Sequence, residues 1–277
     1  MDLVGKHMNT PVLDKFVKSW INLFSHSPKS RLQWRTQTGL SIPSYSVTRW
    51  WSKFEVMHQM FKAFGDVQSF LESSELPPTT SGKLLAIISD AAKFRKLQME
   101  LAVTIDAMEE FVKATYQLEG DGVLVVTTYE QLRVLYSVIS SQHYPNVDAV
   151  AEKLSKGNIV HKQMLKSYAR DCVEPAFEYF KQKFDMELKP LVEVFKAARY
   201  FSPSKVAELK PSAQDIDELS TFPFLKSAVV ANLKSELPMY MAAAKDVSAS
   251  VDVTSWWKSN EDKLPHWAKA FSIIALV

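Results

Sequence analysis

Six histidines (His7, His26, His58, His143, His161, His266), one cysteine and a scatter of carboxylates are the side chains of this 277-residue chain with acid–base, nucleophilic or metal-binding chemistry. Their spacing assembles none of it. No His-x-x-x-His pair occurs, and Glu55-Val-Met-His58 is a single Glu-x-x-His pair, two side chains rather than a ligand set. Cys172, in Tyr168-Ala-Arg-Asp-Cys-Val, falls on an apolar helical stripe and reads as a small buried hydrophobe. Asp215, Asp217 and Glu218 cluster without the rigid surroundings that a metal set requires, so they read as a solvated helix start. Gly120-Asp121-Gly122 lacks the Lys-Ser/Thr of a phosphate loop and reads as a plain turn. What stands apart is a basic segment interleaved with aromatic rings: Arg31-Leu-Gln-Trp-Arg35, then Ser46-Val-Thr-Arg-Trp-Trp-Ser-Lys53. Cations that neutralise phosphates beside rings that stack on bases are the ingredients of a nucleic-acid groove. The same pattern also fits a basic helix whose tryptophans are core, and composition leaves both readings open.

The elements that must position these residues read as helices almost throughout. Val12, Phe16, Trp20 and Leu23 recur at three-to-four spacing. Ser27-Pro28 opens a basic helix that Gly39 ends. Thr48 is placed to cap a helix from Arg49 to Phe64, with Trp50, Phe54, Met57, Phe61 and Phe64 inward. Beyond the break at Leu76-Pro77-Pro78, the residues Phe94, Leu97, Leu101, Ile105, Met108 and Val112 keep one long helical rhythm. Val123–Val126 is a short β-branched run expected to be extended. Thr127 and Glu130 have capping-box spacing for the next helix. Further helices are expected at 146–155, 159–184 with a kink at Pro175, 188–201, 203–209, 224–244, 254–262 and 265–271. A strand is expected at 272–277. The expected class is mainly α.

Only seven glycines occur in the chain, against roughly 7% in average usage, which excludes glycine-hungry nucleotide loops, propellers and Greek-key sandwiches. One cysteine excludes an internal disulfide framework and suits a reducing compartment. Neither a secretory leader nor an apolar run of about 18 residues is present, so a soluble protein with no membrane partner is expected. Residues 1–53 carry eight Lys/Arg against two Asp/Glu, a net of +6; residues 54–253 carry 22 against 27, a net of −5. All seven tryptophans lie near the ends: Trp20, Trp34, Trp50 and Trp51 at one, Trp256, Trp257 and Trp267 at the other. Such a distribution suggests a helical block inserted between two terminal pieces that meet in space.

Thr48-Arg49-Trp50-Trp51-Ser52, followed by an amphipathic helix, resembles the Thr-Arg-Trp motif of hAT-superfamily DNA transposases. Trp256-Trp257-Lys258, with Leu264-Pro265-His266-Trp267-Ala268 and Ile274-Ala275-Leu276-Val277, is similar to the segment that opens that family's C-terminal dimerisation region. The resemblance implies three segments: 1–53 ending in the Arg-Trp motif, 54–253 as a helical insertion domain, and 254–277 as the start of the dimerisation region. It also implies a remnant of an interrupted ribonuclease-H-like α/β fold at the C-terminal end. Family members cut DNA with three carboxylates that bind a divalent metal such as Mg. No acidic residue here matches one of them, so the chain is expected to be catalytically incomplete and to need no cofactor.

From the family, Arg49 carries over as a DNA-backbone contact and Trp50 as the ring that stacks on a base rotated out of the duplex. Trp51 competes for that role, because it replaces a small polar residue. Arg31, Arg35 and Lys53 complete the expected DNA-binding set. The implied partners are DNA, bound weakly and without sequence preference, and further copies of the chain; the implied residence is the nucleus. The alternative is an all-α interaction or scaffold protein, domesticated from the same ancestor, with an open face formed by Trp256, Trp257 and Trp267.

Overall fold

The computed structural model describes residues 2–25, 27–46, 50–73, 76–119 and 122–275. Among them there are fifteen α-helices and no strand. In chain order they are α1 (Asp2–Lys6), α2 (Pro11–Ser25), α3 (Pro28–Thr38), α4 (Trp50–Lys62), α5 (Phe64–Ser73), α6 (Pro78–Ile88), α7 (Ala91–Leu118) and α8 (Val125–Ser141). Then follow α9 (Pro145–Ser155), α10 (Ile159–Gln182), α11 (Lys189–Ala198), α12 (Pro203–Leu209), α13 (Ser227–Ala244), α14 (Val253–Ser259) and α15 (Pro265–Ile274). A π-turn (Lys183–Glu187) and two 3-10 turns (Arg199–Phe201 and Asp215–Thr221) join some of these.

The local signals act where expected at many ends. At α3, the Ser27 hydroxyl accepts from the Ser30 amide, Pro28 takes the first helical position, and Gly39 closes the helix at φ 73°, a conformation glycine adopts without steric cost. Elsewhere they mislead. Val125 is helical, so the valine run starts α8 rather than a strand, and the Thr127 hydroxyl donates to the Leu124 carbonyl instead of capping. The helix expected from Arg49 to Phe64 ends at Lys62, and Phe64 instead starts α5. By contrast, the helix expected at 159–184 is present as Ile159–Gln182, with Pro175 inside it.

The chain packs as two compact units, residues 1–113 with 138–180 and residues 114–137 with 181–277. The chain passes from one unit to the other within α7, α8 and α10.

In the first unit, α7 is buried at seven successive positions, Met99 to Ile105, so it is covered on every side and not along one stripe. Beside it, Phe16, Trp20, Phe24, Trp34 and Phe70 form one aromatic cluster, with Trp20 and Trp34 edge-on at 5.1 Å between centroids. A carboxylate inside such a core must be satisfied. Glu100, fully buried, accepts from the amides of Val12 (3.0 Å) and Leu13 (2.7 Å) and from the Tyr168 hydroxyl. Those amides are the second and third of α2, after Pro11, so a side chain from a distant helix supplies the cap. The device recurs. Asp106 of α7 accepts from Asn146 (3.2 Å) and Val147 (2.9 Å), the second and third residues of α9 after Pro145.

In the second unit, Glu236 of α13 accepts from His266 (3.2 Å) and Trp267 (3.3 Å), behind Pro265 of α15. There the core holds Trp257 and Trp267 with Tyr200, Phe201, Leu233, Tyr240 and Phe271. Its aromatic polar tips cap helix-end carbonyls: Tyr240 donates to Tyr200 O (3.0 Å) and Trp257 Nε1 to Phe201 O (2.8 Å). Trp20 and Trp34 are thus buried in the first unit, and Trp257 and Trp267 in the second.

The expected strand at 272–277 is corrected by the structure. Residues 272–274 continue α15, and residues 276–277 lie outside the described residues. Trp267, Ala268, Ala270, Phe271 and Ile274 bury one helical face together, and that packing overrides the β preference of Ile273-Ile274.

Candidate nucleic-acid interface

The basic segment occupies the helical hairpin of α2 and α3, the irregular stretch 40–46, and the first turn of α4. One face of α2 is apolar and buried (Leu13, Phe16, Val17, Trp20, Leu23, Phe24). The opposite face exposes Asp14, Lys15, Lys18 and Asn22. On α3, Arg31 and Arg35 are exposed one turn apart, while Trp34 between them is fully buried. Arg31 Nε donates to the Phe24 carbonyl (2.7 Å), placing a cation at the carbonyl end of α2, where the helix dipole favours it. Lys53 binds Asp14 (2.7 Å), which sets the first turn of α4 against the first turn of α2. With both partners partly in water, that pair contributes at most about 1 kcal/mol.

Each expected site residue can now be placed. Arg31 and Arg35 are exposed, Lys53 is half-buried in its ion pair, and Trp51 is half-buried. Arg49, the proposed cap Thr48 and the side chain of Trp50 lie outside the described residues; Trp50 is placed only as the first residue of α4. Of the two readings of the Arg31–Arg35 motif, burial decides for Trp34: its ring is core and stacks on nothing from outside. The sequence reading missed Lys15 and Lys18. Their position opposite the Leu13–Trp20 stripe was the signal that would have found them. Also missed was Tyr45, a 40% exposed ring on the 40–46 stretch.

The remaining chemistry-bearing residues have structural work. His58 lies half-buried against Phe54 at 5.7 Å, and burial, then the Lys62 charge, lowers its pKa. Asp215 accepts from the Ser212 amide and hydroxyl, Asp217 pairs with Lys234 (2.6 Å), and Glu218 pairs with Lys196 (2.8 Å) while accepting from Tyr200. Those three carboxylates are engaged separately and do not fit a divalent metal. Among the described residues, no three His, Cys, Asp or Glu side chains converge on a metal position, and no helix is long and apolar enough to cross a membrane.

Cys172 is buried beside Tyr168, and burial, then the Glu100 charge, pushes its thiol up to about 12. At pH 8 only roughly one thiol in ten thousand is then thiolate, the reactive form. Labelling by a disulfide reagent is expected to be limited by opening of the first unit, and to become fast in urea. Rapid stoichiometric labelling of the native protein would contradict this burial.

This is a mainly α protein of two packing units with a cationic helical hairpin at one surface of the first. The chain matches no protein-family model, no curated protein and no solved structure.

Proposed function

We propose that the chain is a DNA-binding protein of hAT-transposase descent that lacks the family's cutting carboxylates. Arg31, Arg35, Arg49 and Lys53 contact phosphates, and the Trp50–Trp51 pair meets a displaced base. The observation that carries the reading is the concentration of exposed cations on α2 and α3, joined by the Lys53–Asp14 pair to the turn where the Arg-Trp motif opens α4. Residues 254–277 would lead, in a longer relative, into the ribonuclease-H-like region, with self-association through that end. Nuclear residence follows from the same descent, and a divalent metal belongs to the intact family enzyme rather than to this chain.

Binding is expected to be dominated by release of counterions. About four phosphate contacts lower the affinity roughly a hundredfold between 50 and 200 mM salt, with little dependence on sequence. Fluorescence-anisotropy titration against hairpin or branched DNA tests this. Equal binding by wild type and by the double variant Arg49→Ala/Trp50→Ala would remove the assignment, and metal-dependent strand cleavage by the chain would remove "incomplete".

A second reading, an all-α interaction protein, is favoured by a different observation. Ile159, Val160 and Met164 are 65–75% exposed on the first turns of α10. Of the open face that reading expects from Trp256, Trp257 and Trp267, Trp257 and Trp267 are buried core and Trp256 is half-buried. Sedimentation separates the two: self-association abolished by Ile159→Ser/Met164→Ser, without any DNA affinity, would favour the second.

A further inference from the structure

Between α3 and α4 the described residues Leu40 to Ser46 are not helical, yet Ser46 is anchored. Ser52, in the first turns of α4, is 2% exposed; its hydroxyl accepts from the Ser46 amide (3.0 Å) and donates to the Ser46 carbonyl (3.0 Å). One buried hydroxyl thus holds both backbone groups of Ser46, as a neighbouring strand would. At the start of the stretch, the Thr38 hydroxyl accepts from the Leu40 amide (3.1 Å), and Leu40, Ile42 and Pro43 are half-buried. Proline at 43 further restricts the backbone. Tyr45, next to the anchored Ser46, is exposed. It is therefore a ring presented from a tied loop, and binding through it forfeits little conformational entropy.

The neighbourhood supplies the rest. Lys53 follows Ser52 in α4, and its partner Asp14 precedes the exposed Lys15 on α2. Trp20 and Trp34, by contrast, are fully buried. An exposed ring carried on the basic first segment of the chain suits an unpaired base, because every base has a face to stack whatever its sequence, whereas a paired base in a duplex offers no free face.

We infer that Tyr45, positioned by the reciprocal Ser46–Ser52 hydrogen bonds, is a stacking ring for an unpaired nucleobase and gives this surface a preference for single-stranded over duplex nucleic acid. The inference rests on the DNA-binding reading and deepens it by naming the strand state and the ring.

The test compares an oligothymidylate of about twenty residues, longer than the usual site size, with a blunt duplex of equal length, for the full chain and for Tyr45→Ala, Tyr45→Phe and Ser52→Ala. Circular dichroism checks that each variant is folded. Tyr45→Ala is expected to weaken single-strand binding roughly tenfold, the effect of losing one stacked base, with duplex affinity unchanged. Tyr45→Phe should bind like wild type, and Ser52→Ala should reproduce the selective loss by freeing the loop. A bromodeoxyuridine-substituted strand should photocross-link to Tyr45, which reports stacking even if Ser52→Ala fails to fold. If wild type binds but Tyr45→Ala is unchanged, or loses both affinities equally, the ring has no such role while the DNA-binding reading stands. If wild type binds neither probe, both fall.

Discussion

Replacing Trp267 with alanine is expected to destabilise the second unit by about 4 kcal/mol, the range for emptying a buried aromatic site. The ring is fully buried; it lies 4.8 Å from Tyr240 and 5.3 Å from Phe201 between centroids, and is stacked with Trp257 at 6.3 Å. Its Nε1 donates to the Leu233 carbonyl (2.9 Å), tying α15 to α13. Hydrogen exchange is the suitable measurement, because two compact units need not unfold together. Protection of α13 and α15 amides should fall by roughly a thousandfold, the equivalent of that energy. Among the described residues, buried Trp34 Nε1 has no hydrogen-bond partner, whereas Trp267 and Trp257 each donate to a carbonyl. Trp34→Phe therefore loses packing volume only, while Trp267→Phe also loses a hydrogen bond worth about 1 kcal/mol. An equal cost for the two phenylalanine variants would show that the indole hydrogen bond contributes nothing.

Glu100→Ala is expected to cost about 3 kcal/mol or more in the first unit. It strands the Val12 and Leu13 amides and the Tyr168 hydroxyl in a core where each lost partner costs about 1–3 kcal/mol. Glu100→Gln keeps an acceptor oxygen for the amides and should be far milder. The two variants differ with pH in a way that follows from charge burial. Desolvation is the largest influence on the carboxyl and raises its pKa, against the lowering effect of the Leu13 amide, the Tyr168 hydroxyl and the Val12 amide. A carboxyl whose pKa is higher folded than unfolded stabilises the protein below its unfolded value, and that contribution is lost as pH rises through the folded value. Wild type should thus lose stability relative to Glu100→Gln as pH rises from below the ordinary glutamate value into the range above it. Urea denaturation of both proteins across that window reads the difference. A constant gap would mean that burial does not penalise the Glu100 charge.

Much of the secondary structure was legible because helix signals are local. The Ser27-Pro28 start, the Gly39 stop and the Pro203–Leu209 helix lie within a turn or two of the residues that dictate them. The candidate site was legible in composition but not in orientation. Arg31 and Arg35 announced a basic helix, yet only the packing of Trp34 against Trp20 and Phe70 removed its ring from the surface. Tyr45 carried no periodic signal, since it lies outside any helix, beside a residue held by hydrogen bonds with Ser52 of the next helix.

From the sequence alone came the mainly α character, the helical periods and the excess of cations in the first 53 residues, all of which depend on residue type and short spacing. Tertiary structure alone decided the remainder: the burial of Trp20 and Trp34 in the first unit and of Trp257 and Trp267 in the second, the helical course of 272–274, and the carboxylates of Glu100, Asp106 and Glu236 capping helices that begin far away in the chain. The physical reason is that a helix start needs acceptors for its first amides, and where proline and its neighbours offer none locally, only folding can choose which distant side chain supplies them.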